Sequence, residues 1–255
     1  MRPALLWNPR LLCERLAVAS QRIRRLAKLK RTPAARLQCG HIGTLELLEF
    51  ARRDDPRVIY DIGANVGTWT LLARSCFPRA TIHAFEPLTA HQVAFERAVQ
   101  SLPAIQLHKI ALGRRAETLP MQVASISDSS SLLPFSESLT KVFGITRQRE
   151  EKVPVVPLDH YVEAEKLPAP DLIKLDVQGY ELAILEGGLR CLQAARFVIS
   201  EVSFIPFYQG QPLFADVVAF MDQQGFELCA LGVDTPLGQE LMQTDGLFAR
   251  KGSRS

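Results

Sequence analysis

The sequence predicts an α/β fold in which a mostly parallel sheet is covered by helices on both faces. Three observations lead there. From residue 57 onward, apolar runs of strand length alternate with segments of helical periodicity. The runs are apolar nearly throughout, as strands buried on both faces must be. The first run passes directly into a turn with two glycines, Gly63-Ala64-Asn65-Val66-Gly67, which opens a helix.

The elements follow in order. Residues 57–62 (RVIYDI) are the first expected strand and 66–77 (VGTWTLLARSCF) the first helix. A second strand at 80–86 (ATIHAFE), a helix at 89–100 and a third strand at 104–110 (AIQLHKI) complete a β-α-β-α-β unit. The rhythm breaks over 114–157, where strands at 117–125 and 152–158 flank the polar stretch SISDSSSLLPFSES. This reads as an antiparallel insertion at the rim of the sheet. The rhythm then resumes with strand 171–177 (DLIKLDV), one helix over 180–192 (YELAILEGGLRCL), strand 196–202 (RFVISEV) and helix 212–225, which stops at Gly225. Two short strands, 226–231 and 246–250, close the chain.

Composition narrows the class. The 255 residues are 47% hydrophobic and 22% charged, and no apolar run is long enough to span a membrane. The net charge of +3 hides an asymmetry: residues 1–36 carry ten Lys/Arg against Glu14 alone, a local +9, and the remainder is −6. The expected organisation is a basic extension (1–36) before a single catalytic domain (37–255). The extension has the spacing of a basic amphipathic helix, with Leu12, Leu16, Ile23 and Leu26 recurring at helical intervals. It is a candidate for packing on the domain or for peripheral membrane contact. Nucleic-acid binding is not expected, because the folded body is acidic. Five scattered cysteines without a CxxC pair point to free thiols in a reducing compartment, hence a cytoplasmic or membrane-associated protein, with neither a zinc site nor a disulfide framework.

The glycine turn carries the chemistry. Its spacing is not the G-x-G-x-x-G of a dinucleotide site. Asp61, two residues before Gly63, would repel a pyrophosphate and suit a cationic ligand bearing an ammonium and a sulfonium, such as S-adenosylmethionine (SAM). Glu86, in AFEP at the end of the second strand, stands 19 residues after Gly67 and is placed to accept both hydroxyls of a ribose. The expected cofactor contacts are therefore Asp61, Gly63, Ala64, Asn65, Gly67, Glu86 and Pro87. Asp176 ends the fourth parallel strand, beside the switch point where ligands sit.

The motifs DIGANVGTWT, FPRATIHAFEP, ALG, VPVVPLDHYV and LIKLDVQGYELAILEGG together resemble the FkbM family of SAM-dependent methyltransferases, in order and spacing, across about residues 40–250. The resemblance implies a Rossmann-like methyltransferase fold with a seven-stranded sheet whose last strand is antiparallel. It also implies O-methylation of a hydroxyl on a sugar, glycolipid or natural product. One departure is Gln178, which stands where many members have Glu and so removes that acid from any role as base or metal ligand.

Methyl transfer to an alcohol needs a base at the C-terminal edge of the sheet. Asp176 is the first candidate and Glu201 the second. No clustered carboxylates or histidines mark a metal site. Competing readings are an inactive SAM-binding interaction module and a methyltransferase for another acceptor. The stretch 125–138 and the aromatic-rich 204–214 are expected to shape the acceptor pocket, since loops on a fixed scaffold carry specificity.

Overall fold

The computed structural model describes residues 42–232 and 241–252, together with 27–35 and single positions between 13 and 24. Among the described residues from 42 to 252 there are ten strands and eight α-helices. The order is α1 (Ile42–Ala51), β1 (Val58–Ile62), α2 (Thr68–Cys76), β2 (Thr81–Phe85), α3 (Thr89–Val99), β3 (Ile105–His108), β4 (Ala111–Gly113), β5 (Glu117–Ala124), α4 (Glu137–Phe143), β6 (Arg147–Pro157), α5 (Leu158–Ala164), β7 (Leu172–Leu175), α6 (Glu181–Glu186), α7 (Leu189–Ala194), β8 (Phe197–Ser203), α8 (Phe214–Gln223), β9 (Phe226–Leu231) and β10 (Gln243–Arg250).

Seven strands form the main sheet in the order β3-β2-β1-β7-β8-β10-β9. All pair in parallel except β10, which runs antiparallel to both neighbours. This is the Rossmann-like methyltransferase arrangement with a reversed last strand. Alternate residues divide the core into two layers. Ile59, Ile82, Leu172, Ile199 and Leu247 pack with α1 and α2 on one face. Tyr60, Ile173, Val198 and Phe248 pack with α5 to α8 on the other. The strand order reverses between β1 and β7, which opens a crevice at their C-terminal ends.

The insertion is a separate three-stranded sheet, β4-β6-β5, with β5 and β6 antiparallel and β4 parallel to β6. It therefore begins at β4, slightly before the expected boundary, and it also carries α4. Three further differences have local causes. The expected helix over 180–192 is two helices, α6 and α7, broken at Gly187-Gly188. A Cβ on Gly187 would lie 2.0 Å from the Gly113 carbonyl oxygen and one on Gly188 2.7 Å from the Leu158 side chain. Glu201 lies within β8, not at its end, opposite Asp245 in β10. Helix α1 carries no motif and was not foreseen; its Leu45, Leu47 and Leu48 are core residues.

Of the basic extension, the described positions between 13 and 29 are helical. Leu16 and Ile23 are exposed, whereas Leu29 and Ala34 are buried in the layer that holds α1 and α2. Lys28 pairs with Glu49 at 2.9 Å, and the Ala34 amide donates to Ser75 Oγ. Leu12, Leu26, Cys39 and His41 lie outside the described residues. Among the described residues, no helix is long and apolar enough to cross a membrane.

Candidate active site

The turn after β1 is shaped by backbone constraints. Gly63 and Gly67 have φ of 78° and 88°, and Asn65 has φ 48°. These are left-handed values that side chains other than Asn and Asp rarely tolerate. A Cβ on Gly63 would fall 1.9 Å from the Asp176 carbonyl oxygen, so the turn and the end of β7 touch backbone to backbone. The Gly63 and Ala64 amides both donate to the Phe85 carbonyl, which ties the turn to the end of β2.

Asp61 lies beneath this turn, fully buried. Its register partner on β7 is Lys174, another buried residue. The Lys174 ammonium sits 3.4 Å from Asp61 Oδ1, 3.4 Å from Asp176 Oδ2 and 3.2 Å from the Gly63 carbonyl. Thr70 Oγ1 donates to Asp61 Oδ2 at 2.5 Å. Burial pushes the Asp61 pKa up, against the opposing pull of Lys174 and Thr70. Burial also disfavours charge on Lys174, but Asp176, Asp61 and Asp245 outweigh it and raise its pKa. In this structure the cation beside Asp61 is Lys174, which also reaches the Gly63 carbonyl of the turn.

Above the turn is a cleft of about 630 Å³. Gly63, Asn65, Glu86 and Pro87 line it, as expected, with Asp176 at one end; Asp61, Ala64 and Gly67 shape the turn without lining the cleft. Glu86 is buried, and each of its oxygens accepts a backbone hydrogen bond at 2.9 Å, Oε2 from Asn65 and Oε1 from Leu88. His91 Nδ1 lies 3.3 Å from Oε1. Every carboxylate oxygen has a second lone pair, so Glu86 is fixed in place and still able to accept. Phe85, Leu88, Ile110, Leu112 and Ile184 form apolar walls, and Met121 to Leu132 of the insertion contribute the far side.

The loop after β7 is the second built feature. Gln178 and Gly179 adopt φ of 57° and 93°. Buried Glu181, the first residue of α6, accepts hydrogen bonds from the Val177 and Gly179 amides with one oxygen. Burial pushes its pKa up to about 7. The Gln178 amide Nε2 donates to Asp176 Oδ1 at 2.7 Å and to Glu201 Oε2 at 2.8 Å, one hydrogen for each carboxylate. Its Oε1 lies 2.8 Å from the Tyr208 hydroxyl, and the Ser131 hydroxyl donates to its backbone carbonyl. Gln243 donates to the other Glu201 oxygen. Burial, then the charges of Asp176, Glu181 and Asp245, push the Glu201 pKa well up.

A second cavity of about 840 Å³ opens on the other side of this cluster. Its walls are Ile126, Leu139, Phe143, Ile145 and Phe207, and its polar lining includes Asp128, Asp176, Gln178, Glu201, Tyr208 and Gln243. Asp176, Gln178 and Asp128 line both cavities. The two candidate bases are therefore brought together at the junction of two compartments. Phe204 and Phe214 instead stack on each other, with centroids 4.9 Å apart.

Sequence reasoning missed Lys174, Glu181, His91 and the bridging role of Gln178. Lys174 left a signal: a lysine inside the apolar run LIKL is buried only with an acid beside it. Among the described residues, no group of three or more His, Cys, Asp or Glu is arranged to hold a metal ion.

SAM fits the cleft on two observations. Asn65 Oδ1 is buried at its wall without a hydrogen-bond partner, and Glu86 is held with acceptor capacity to spare. Glu86, Asn65 and the Gly63 backbone would hold the polar parts, and the apolar walls the rest.

The profile described as "Methyltransferase FkbM domain" matches residues 61–228. Three curated relatives are similar. The hexuronic acid methyltransferase AglP of Haloferax volcanii is 29% identical over 159 residues, 61% of this chain and 59% of its own length. The 2-O-methyltransferase NoeI of Sinorhizobium fredii is 28% identical over 198 residues, 75% of this chain and 79% of its own. Methyltransferase 1 of Beauveria bassiana is 25% identical over 221 residues, 80% and 86% of the two chains.

Proposed function

The chain belongs to the FkbM family of SAM-dependent methyltransferases, and from that premise we propose that it methylates a hydroxyl of a sugar or sugar-like acceptor. The observation that carries the reading is the pair of carboxylates, Asp176 and Glu201, at the junction of the cofactor cleft and the second cavity. SAM supplies an electrophilic methyl group when bound. Glu86 accepts hydrogen bonds from the ribose, and the Gly63–Gly67 turn lets the cofactor approach the backbone closely.

The second cavity takes the acceptor. Asp176 faces both compartments and its side chain is 36% exposed, so it is the group that removes the hydroxyl proton. Gln178 and Lys174 hold its two oxygens, one each, which fixes the direction of the remaining lone pairs. Glu201 lies deeper and lines only the acceptor side, where it anchors Gln178 and Gln243. Residues of the insertion line both compartments. Two of the relatives carry names that specify a hexuronic acid and a 2-O position, which favours a carbohydrate acceptor.

The test is incubation with isotopically labelled SAM and a panel of glycosides, glycolipids and polyketide alcohols, followed by mass spectrometry. A labelled O-methyl sugar is expected. Label on a nitrogen or carbon centre, or on no acceptor in the panel while S-adenosylhomocysteine still binds, would overturn the reading.

A further inference from the structure

We propose that the acceptor cavity takes a sugar without a carboxylate, presented with one apolar face, and excludes uronic acids. This deepens the preceding reading and rests on its assignment of the second cavity to the acceptor.

The ionisable groups among the described lining residues are all acids. Asp128, Asp176 and Glu201 line the cavity, and no lysine or arginine is among its described lining residues. Glu181 and Asp245 lie close enough behind Glu201 to act on its titration. Lys174 is the buried cation below the site, but it is engaged by Asp61 and Asp176 and lines neither compartment. Lys141 on α4 pairs with Glu137, and Arg147 at the start of β6 with Gln122 and Glu150.

A carboxylate on the acceptor ring would enter a partly desolvated space facing two or three acids, with no guanidinium or ammonium among the described lining residues to receive it. Like charges placed together in an interface are disfavoured. Recognition of a planar carboxylate ordinarily uses a bidentate arginine, and the described lining residues include none. The opposite wall suits a different surface. Ile126, Leu139, Phe143, Ile145 and Phe207 give a continuous apolar side, with Ile126 and Phe143 about half exposed at its mouth. A pyranose has such a face in its axial C–H groups, and its hydroxyls on the other edge meet the acids as hydrogen-bond donors. Asp128 is the acid to vary, because it lines both cavities yet holds no part of the bridge between Asp176 and Glu201.

The experiment compares matched acceptor pairs at pH 8: methyl glucoside with methyl glucuronide, and the corresponding galacto and manno pairs. In every pair that turns over, the neutral member should exceed the uronate at least tenfold in kcat/KM. D128K should narrow that ratio by raising uronate turnover, with thermal melting reporting whether the variant is folded; if it is not, D128N should narrow the ratio in the same direction. Equal or better turnover of the uronate by the unaltered protein overturns this proposal and leaves sugar methylation standing. Turnover of neither member of any pair, with S-adenosylhomocysteine binding intact, overturns the sugar reading and this inference together.

Discussion

The cofactor cleft and the cavity proposed for the acceptor share Asp128, Asp176 and Gln178, yet they are assembled in opposite ways. The cleft is made chiefly by turns that immediately follow β1, β2 and β7, so the sheet sets its geometry and short motifs record it. The cavity is collected from five separate segments between Ile126 and Gln243, held together by side-chain contacts such as Tyr208 to Gln178 and Gln243 to Glu201. The cleft is fixed by backbone and the cavity by side chains. Substitutions should therefore separate cofactor affinity from turnover and acceptor choice.

The largest effect is expected at the junction. Asp176→Asn keeps size and hydrogen bonding but cannot take the proton. Turnover should fall by roughly 10²–10⁴-fold, the usual scale for loss of a general base. Affinity for S-adenosylhomocysteine should stay within a few fold, because a base acts on the transition state more than on the ground state. Glu201→Gln should cost less than Asp176→Asn. The reverse ranking, measured by initial rates at saturating SAM, would move the base to Glu201 and the reaction deeper into the cavity.

On the cleft side, Glu86→Ala removes charge-assisted hydrogen bonds worth on the order of 1.5–3 kcal/mol each. Calorimetry should show at least a tenfold loss of S-adenosylhomocysteine affinity, and most of the rate should return at saturating SAM. Unchanged affinity would mean that the ribose is held elsewhere.

Glu181 offers a milder probe of how the loop between the two compartments is held. Its folded pKa of about 7 lies above the ordinary carboxylate value of 4.5. A raised acid pKa means that the folded state binds the proton more tightly than the unfolded chain does. The penalty for ionising it is absent below about pH 4.5 and complete above about pH 7. Glu181→Gln should therefore raise the melting temperature at pH 8 and leave it little changed at pH 4.5, with a gain at pH 8 of up to about 3 kcal/mol. A variant that loses stability at pH 8 would show that the charge itself, through the Val177 and Gly179 amides, orders the loop.

The smallest effect is expected from chelation. A reaction that rests on Asp176 and a preorganised cleft should proceed unchanged in excess EDTA. Loss of activity restored by magnesium would place a cation at the carboxylate cluster and displace the Gln178 bridge as its organising element.

The same contrast decides what the sequence revealed. The placement of Gly63, Asn65, Glu86 and Asp176 around one cleft was readable because each sits at a fixed offset from the end of a strand, and the ends of parallel strands are where such folds place ligands. The reversed last strand followed from family resemblance, not from periodicity. The buried Lys174 beside Asp61 was not legible, because it lies on β7, more than a hundred residues away, and pairing register is not visible in one strand alone. The broken helix at Gly187-Gly188 was missed for a related reason: the obstacles are Gly113 and Leu158, both distant in sequence. The walls of the second cavity were half legible. Ser129, Phe207 and Tyr208 lay in segments singled out for composition, whereas Leu139, Phe143 and Ile145 reach the cavity only because the insertion folds back over the sheet.

The most direct measurement is a crystal structure of the protein with S-adenosylhomocysteine and a neutral glycoside. The account predicts the ribose hydroxyls on Glu86, the sugar ring against Phe207 and Ile145, and the reacting hydroxyl within about 3 Å of Asp176, the reach a general base requires. A ribose bound away from Glu86, or an acceptor hydroxyl facing another residue with Asp176 still bridged to Glu201, would contradict it.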